Sequence, residues 1–281
     1  MWRFGQASSL FLGLFCCALA GQADALNNLA LDHYDLGEWP TAAERYEECL
    51  EIAIRIGDLD LQAIVRSNLG EVFLRRGDIR SAKAEFRWAI DARSKLGNIG
   101  ISALAEANLG QCLMHEDRFE EARQCLENSL RDFRKIKVPA FEADVHTRLA
   151  ALNLAEGKTD QALHTAQHAL SIAKELSIGP LEQTALLVIG KIATARGDWK
   201  RAEHSLLNAA QIARKAGDRY AGGKALAALG GLWSARARNS GSVAERRRAA
   251  AQLLRAENIF RRLGASLDVD SAQSELQALR D

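Results

Sequence analysis

The chain has 281 residues, 48% hydrophobic and 26% charged, enough to bury a sizeable core. Its formal net charge of +1 argues against a chain built as a whole to hold nucleic acid. Only three prolines and 6% aromatics occur among abundant Ala, Leu, Arg and Glu, which lose little rotamer freedom in a helix; no run of alternating β-branched residues reads as a strand.

No charge falls between Arg3 and Asp24, and Leu10 to Ala20 reads LFLGLFCCALA before Gly21. One basic residue, a short apolar run and Ala18-Leu19-Ala20 predict a secretory signal cleaved before Gly21, and hence an exported chain. The alternative is a cytoplasmic protein in which residues 1–20 are the second helix of a degenerate leading repeat, since Leu10 is in phase with Leu50 and free thiols suit a reducing compartment. Either way the run is too short to span a bilayer, so no integral membrane span is expected.

From residue 21 the chain is periodic. Asn28-Leu29-Ala30, Asn68-Leu69-Gly70, Asn108-Leu109-Gly110, Arg148-Leu149-Ala150, Val188-Ile189-Gly190 and Ala228-Leu229-Gly230 each begin forty residues after the last. An alanine column follows at Ala42, Ala82, Ala122, Ala162 and Ala202, and four residues on lie Tyr46, Phe86, Leu126, Ala166 and Leu206. Between them a turn is marked by Gly37, Gly77, Asp117, Gly157 and Gly197. Second breaks stand at Gly57-Asp58, Gly97-Asn98, Lys137-Val138-Pro139, Gly179-Pro180 and Gly217-Asp218, where glycine suits a left-handed helix end and Asp or Asn caps the next helix.

Each unit therefore reads helix, turn, helix, break, over about 21–56, 57–97, 98–137, 138–177, 178–217 and 218–264, with a cap at 265–281. In the last unit the first helix is expected to end near Trp233, followed by a seven-residue insertion in the Arg-Ala-Arg-Asn-Ser-Gly-Ser stretch. Ser271 to Leu279 then reads as a helix covering the last apolar face, which repeat arrays need. The fold class predicted is all-α, a right-handed α-solenoid of about six helix-turn-helix repeats with a C-terminal capping helix.

Leu69, Gly70, Phe73, Gly77, Ala82, Phe86 and Ala89 resemble the signature of the tetratricopeptide repeat, and the resemblance extends over about residues 22–281. Family units usually have about 34 residues; the longer units here resemble those of bacterial regulatory proteins and kinesin light chains, with the second helix lengthened by roughly 9 Å. The resemblance implies that first helices line a concave groove for a protein or peptide ligand and second helices form the outside.

In such a groove the residue before the Leu-Gly pair faces the ligand. That column reads Asn28, Asn68, Asn108, then Arg148, Val188 and Ala228. An amide offers a donor and an acceptor that match a peptide bond, although asparagine can equally bond between neighbouring helices. With their groove-facing neighbours, the candidate binding residues are Asn27, Asn28, Ser67, Asn68, Glu71, Arg75, Asn108, Gln111, His115, Arg148 and Lys191. The family's carboxylate clamp is missing, because Asn27, Ser67 and Ala107 stand where it needs lysine.

No catalytic residue, metal site or cofactor is expected. There is no G-x-S-x-G, and Gly217 to Ala225 fails as a phosphate loop for spacing and for want of a Ser or Thr after Lys224. His164, His168 and His204 could approach one metal but read as solvated histidines. The five cysteines fit neither a zinc site nor a disulfide framework, and Cys49 falls at a core position. The Arg-rich run from Arg236 to Arg262 reads as a solvated helical face, so no nucleic-acid partner is expected. The leading expectation is a non-enzymatic protein- or peptide-binding scaffold. Its alternatives are a sensory or regulatory module acting with a separate effector, and an exported envelope assembly factor.

Overall fold

The computed structural model describes residues 3–280, with side chains for 17–92 and 97–280. Among these residues thirteen helices and no strand occur: α1 (Arg3–Leu36), α2 (Trp39–Ile56), α3 (Leu59–Arg76), α4 (Ile79–Leu96), α5 (Ile99–His115), α6 (Phe119–Ile136), α7 (Pro139–Ala155), α8 (Thr159–Glu175), α9 (Gly179–Ala195), α10 (Trp199–Ala216), α11 (Arg219–Ser240), α12 (Val243–Leu263) and α13 (Ser266–Ala278). They pair in sequence as six antiparallel hairpins, and α13 covers the end of the right-handed solenoid.

Local chemistry sets the breaks. Asp58, Asn98, Asp198 and Asp218 each accept a hydrogen bond from the backbone N–H three residues on, satisfying one of the donors that a helix start leaves open. Pro40, Pro139 and Pro180 all sit in the first turn of a helix, where no N–H partner is lost. Three breaks use a side chain in the left-handed region, at Asp117, Lys137 and Ser177, each with φ of 56°. The last corrects an expectation: the fourth break turns at Ser177, and Gly179 is already the first residue of α9, because Pro180 must lie within that helix's opening turn.

Within each hairpin the small residues let backbones approach. Ala42, Ala82, Ala122, Ala162 and Ala202 are fully buried, as are Tyr46, Phe86, Leu126, Ala166 and Leu206 to within 1%. A methyl group built on Gly70 would lie 2.7 Å from the Phe86 ring, and one on Gly230 would lie 2.6 Å from Leu253. Cys49 is buried as well, its thiol donating to the Ala23 carbonyl at 3.1 Å.

At both ends the helices run on. Residues 3–20 continue without a turn into the first repeat as α1. The side chains up to Cys16, most of the apolar run, lie outside the described residues. Near the other end α11 does not stop at Trp233 but runs to Ser240, and Gly241 closes it in the left-handed region. The insertion prolongs both helices of the last hairpin because Ala and Arg favour helix and because Trp233 gathers both extensions. Arg236 and Arg248 lie over its ring at 4.6 and 5.0 Å, and Arg236 pairs with Glu245 at 2.7 Å.

The superhelix winds tightly enough for its ends to meet. Trp39 packs edge-on to Tyr220 with ring centroids 5.4 Å apart, Leu263 fills the space over Gly37, and Ser266 Oγ donates to the Arg76 carbonyl at 2.8 Å. One apolar cluster joins Trp39, Tyr46, Leu61 and Val65 to Ala256, Phe260, Leu263 and Ala265. The concave face is thus the wall of a narrow lumen.

Candidate functional site

The first helices line this lumen. Successive first helices touch one another (α3 with α5, α5 with α7, α7 with α9, α9 with α11), whereas successive second helices make no comparable contact, as inner and outer rings of a curved array require. Polar side chains of the inner ring bond in two groups.

The first group sits where the ends meet. The Tyr34 hydroxyl donates to Glu71 Oε1 at 2.5 Å and accepts from Arg75 Nε at 3.0 Å, while Arg75 Nη2 reaches Glu71 at 3.3 Å. The Arg75 guanidinium also lies 4.4 Å over the Tyr220 ring, whose hydroxyl donates to Asp268 at 2.8 Å. Asp268 pairs with Lys224 at 3.0 Å. Desolvation pushes the Glu71 carboxyl up, but the Arg75 charge, the Tyr34 hydroxyl and Arg148 together hold it below the usual carboxylate range.

The second group centres on Arg148. Its Nε donates to Asp144 at 2.7 Å, and its Nη1 donates to Asn108 Oδ1 at 2.8 Å, to Gln111 Oε1 at 2.9 Å and to the Ala107 carbonyl at 3.3 Å. Lys191, further along, has no hydrogen-bond or ion-pair partner among the described residues. Its side chain is open to the lumen, but the enclosing walls, then the nearby Lys224 charge, push its ammonium down to about 8 against the weaker pull of Asp268 and Glu275. His115 faces the same charges from α5: desolvation and then Lys224 lower its pKa. Between α9, α11 and α13 the lumen widens to a cavity of about 980 Å³.

The asparagine column is spent largely within the stack. Asn68 Nδ2 donates to Asn27 Oδ1 at 3.3 Å, tying α3 to α1. Asn108 is only 2% exposed, lying beneath Arg148 with its Nδ2 unpartnered, so it is not presented to the groove as expected. Ser67 departs likewise: its short side chain is buried, with the hydroxyl unpartnered. Asn28 stands exposed on α1. Glu71, Arg75, Gln111, His115, Arg148 and Lys191 are brought to the lumen together. Sequence reading missed Tyr34, Tyr220, Lys224 and Asp268. Lys224 falls eighty residues after Asp144, in the same register, which would have placed it on the inner face; Asp268 lies in the cap, outside the period.

The remaining candidates separate. His168 packs edge-on to the buried His146 at 4.8 Å, and His204 bonds Asn208 at 3.1 Å. Among the described residues no group of three His, Cys, Asp or Glu side chains stands close enough to hold a metal, and no helix is long and apolar enough to cross a membrane.

Fold and inner face together define an all-α repeat solenoid with a polar lumen. The tetratricopeptide repeat pattern matches residues 21–95 and 101–175, and a second pattern of the same description matches 67–134. The protein belongs to the tetratricopeptide repeat family. No curated protein sequence matches the chain. Among solved structures it is similar to a Rap protein complexed with Competence and Sporulation Factor (TM-score 0.68, 14% identity, 92% of this chain and 75% of that one). The Rap conjugation gene regulator of plasmid pLS20 in complex with the Phr* peptide gives 0.66 at 13% identity, over 89% and 72%. BtubC from P. vanneervenii gives 0.57 at 21% identity, over 71% and 83%.

Proposed function

We propose that the chain is a non-enzymatic scaffold that binds a peptide, or an extended segment of a protein, inside the lumen. The observation that carries this reading is the enclosed inner face itself. Arg148, Gln111, His115 and Lys191 look onto one channel that opens into a cavity of about 980 Å³, at the upper end of the range for small-ligand pockets. A strand of peptide has backbone donors and acceptors all along it, which a channel of mixed polar groups satisfies without a reaction centre. Two of the similar structures are complexes, one with Competence and Sporulation Factor and one with the Phr* peptide, which supports the same use of the fold here.

A second reading, a regulatory module acting with a separate effector, is favoured by the gene regulator among those relatives. It shares the same ligand site and differs only in what reads out the bound state.

The test is a selection of binders from a library of random short peptides, followed by hydrogen exchange with and without the bound peptide. Protection confined to α5, α7, α9 and α11 is expected. Binders that protect the outer helices α4, α6, α8 and α10 instead would overturn the reading.

A further inference from the structure

Lys191 is chemically out of place in this lumen. At the equivalent position of other repeats stand Glu71, which is salt-bridged to Arg75, Gln111, which is bonded to Arg148, and Ala151 and Gly231. The other cations lining the cavity are engaged: Lys224 by Asp268 at 3.0 Å, Arg238 by Ser234 Oγ at 3.0 Å, and Arg196 by Asp160. Lys191 alone among these cations has no partner among the described residues, and it borders the cavity of about 980 Å³.

We propose that the cavity between α9, α11 and α13 is a subsite for a carboxylate, received by the Lys191 ammonium beside the small side chains of Ala227, Ala228 and Gly231. The proposal rests on the peptide-groove reading and names the ligand group that this end of the groove takes.

A singly charged carboxylate fits better than phosphate for an electrostatic reason. Asp268 and Glu275 also line the cavity, and they repel a second negative charge on the ligand. Glu275 stands over Gly231, its Oε1 3.7 Å from where a methyl group there would stand, which sets an acid in the same cavity as Lys191. Desolvation has already lowered the affinity of Lys191 for its proton, so an incoming anion restores it, and binding near pH 8 draws a proton from solution. Lys224 adds positive potential, against Asp268 and Glu275, while His115, whose pKa is lowered, is neutral near pH 8. The walls of Ala195, Ala227, Ala228 and Ala235 leave room for the residue that carries the carboxylate.

The carboxylate could be a peptide's C-terminus or an acidic side chain near its end. Three N-acetylated alanine-rich peptides of one length separate these sources: one with a free C-terminus, one with a C-terminal amide, and one amidated but carrying a terminal Glu. Lysines of the full chain are dimethylated with ¹³C, which keeps their charge, and the Lys191 signal is assigned by its loss in Lys191→Gln. Lys191 projects into the open lumen with no partner among the described residues, so this variant is expected to melt like the parent. The Lys191 signal should move saturably with a carboxylate peptide and not with the plain amide, and Lys191→Gln should weaken that peptide by about tenfold. Response to the free C-terminus alone assigns that source; response to the Glu peptide as well admits side chains. No movement with either acid, or equal movement with the plain amide, overturns the subsite. The Lys224 signal reports separately whether peptide enters the lumen, so failure of the subsite is distinguishable from failure of the groove.

Discussion

Lys137 ends α6 in the left-handed region at a position where four other breaks of the array use glycine or serine, and its φ of 56° crowds Cβ against the backbone. Lys137→Gly is expected to stabilise the fold by about 1 kcal/mol, read as a raised midpoint in urea at unchanged slope. Asn108 works in the opposite sense: it is buried, and its Oδ1 receives Arg148 at 2.8 Å. Asn108→Ala should cost about 1–3 kcal/mol of folding free energy by leaving the guanidinium short of an acceptor; a neutral result would return this asparagine to a purely ligand-facing role. His146 adds a pH dependence. Burial, with the charges of His168 and Arg134, pushes its pKa down from 6.5 to about 4. Between those values the unfolded chain binds a proton that the folded chain refuses. The stability this neutral imidazole permits is therefore complete above about pH 6.5 and lost as pH falls towards 4, by up to about 3 kcal/mol. Melting temperatures across that window should fall with pH, and His146→Leu should flatten the slope.

At the scale of elements, the hairpin depends on a close approach that one alanine column permits. Ala82 is fully buried between α3 and α4, beside Phe86, which fills the space against Gly70. Ala82→Leu is expected to overpack the hairpin and destabilise it by about 1–3 kcal/mol, measured by denaturant unfolding; a neutral substitution would mean the two helices are not paired this way. Most of this level was legible in sequence, because a residue recurring every forty positions must answer the same local geometry each time. Gly37, Asp117 and Gly197 were read as turns and are turns. Two element limits were not legible. Gly179 looked like the break, yet Pro180 lies in the first turn of α9, whose N-cap is Ile178, and the left-handed turn falls at Ser177. The Arg-Ala-Arg-Asn-Ser-Gly-Ser insertion looked like an interruption, yet its propensity and the Trp233 cluster made it helix.

Across the whole molecule, the meeting of the two ends fixes the width of the lumen. Tyr220 is its pivot, touching Trp39 and Phe260 by ring contacts, Arg75 from the second hairpin, and Asp268 from the cap. Every hairpin still packs on its neighbours without this seam, because repeat arrays draw their stability from adjacent units. Tyr220→Ala should therefore lower melting less than Phe86→Ala, for which about 3–5 kcal/mol is expected, while increasing the radius of gyration seen by small-angle X-ray scattering. An unchanged radius would show that curvature within the stack, and not the seam, holds the ring closed.

The sequence by itself determined the unit. Its period, the small residues of each hairpin, the caps and the final covering helix all follow from contacts between residues near in the chain, which repetition makes visible. It also placed Glu71, Arg75, Gln111, His115, Arg148 and Lys191 on the inner face. What it could not decide was how these side chains divide between the stack and the lumen. Asn27 with Asn68, and Asn108 with Arg148, pair across about forty residues, and Arg75 with Tyr220 across far more. Those pairings depend on the small rotation between successive hairpins, which accumulates over six of them to bring the ends together. No local pattern encodes that sum; only the assembled superhelix leaves Lys191, among the described residues, as a cation of the cavity without a partner.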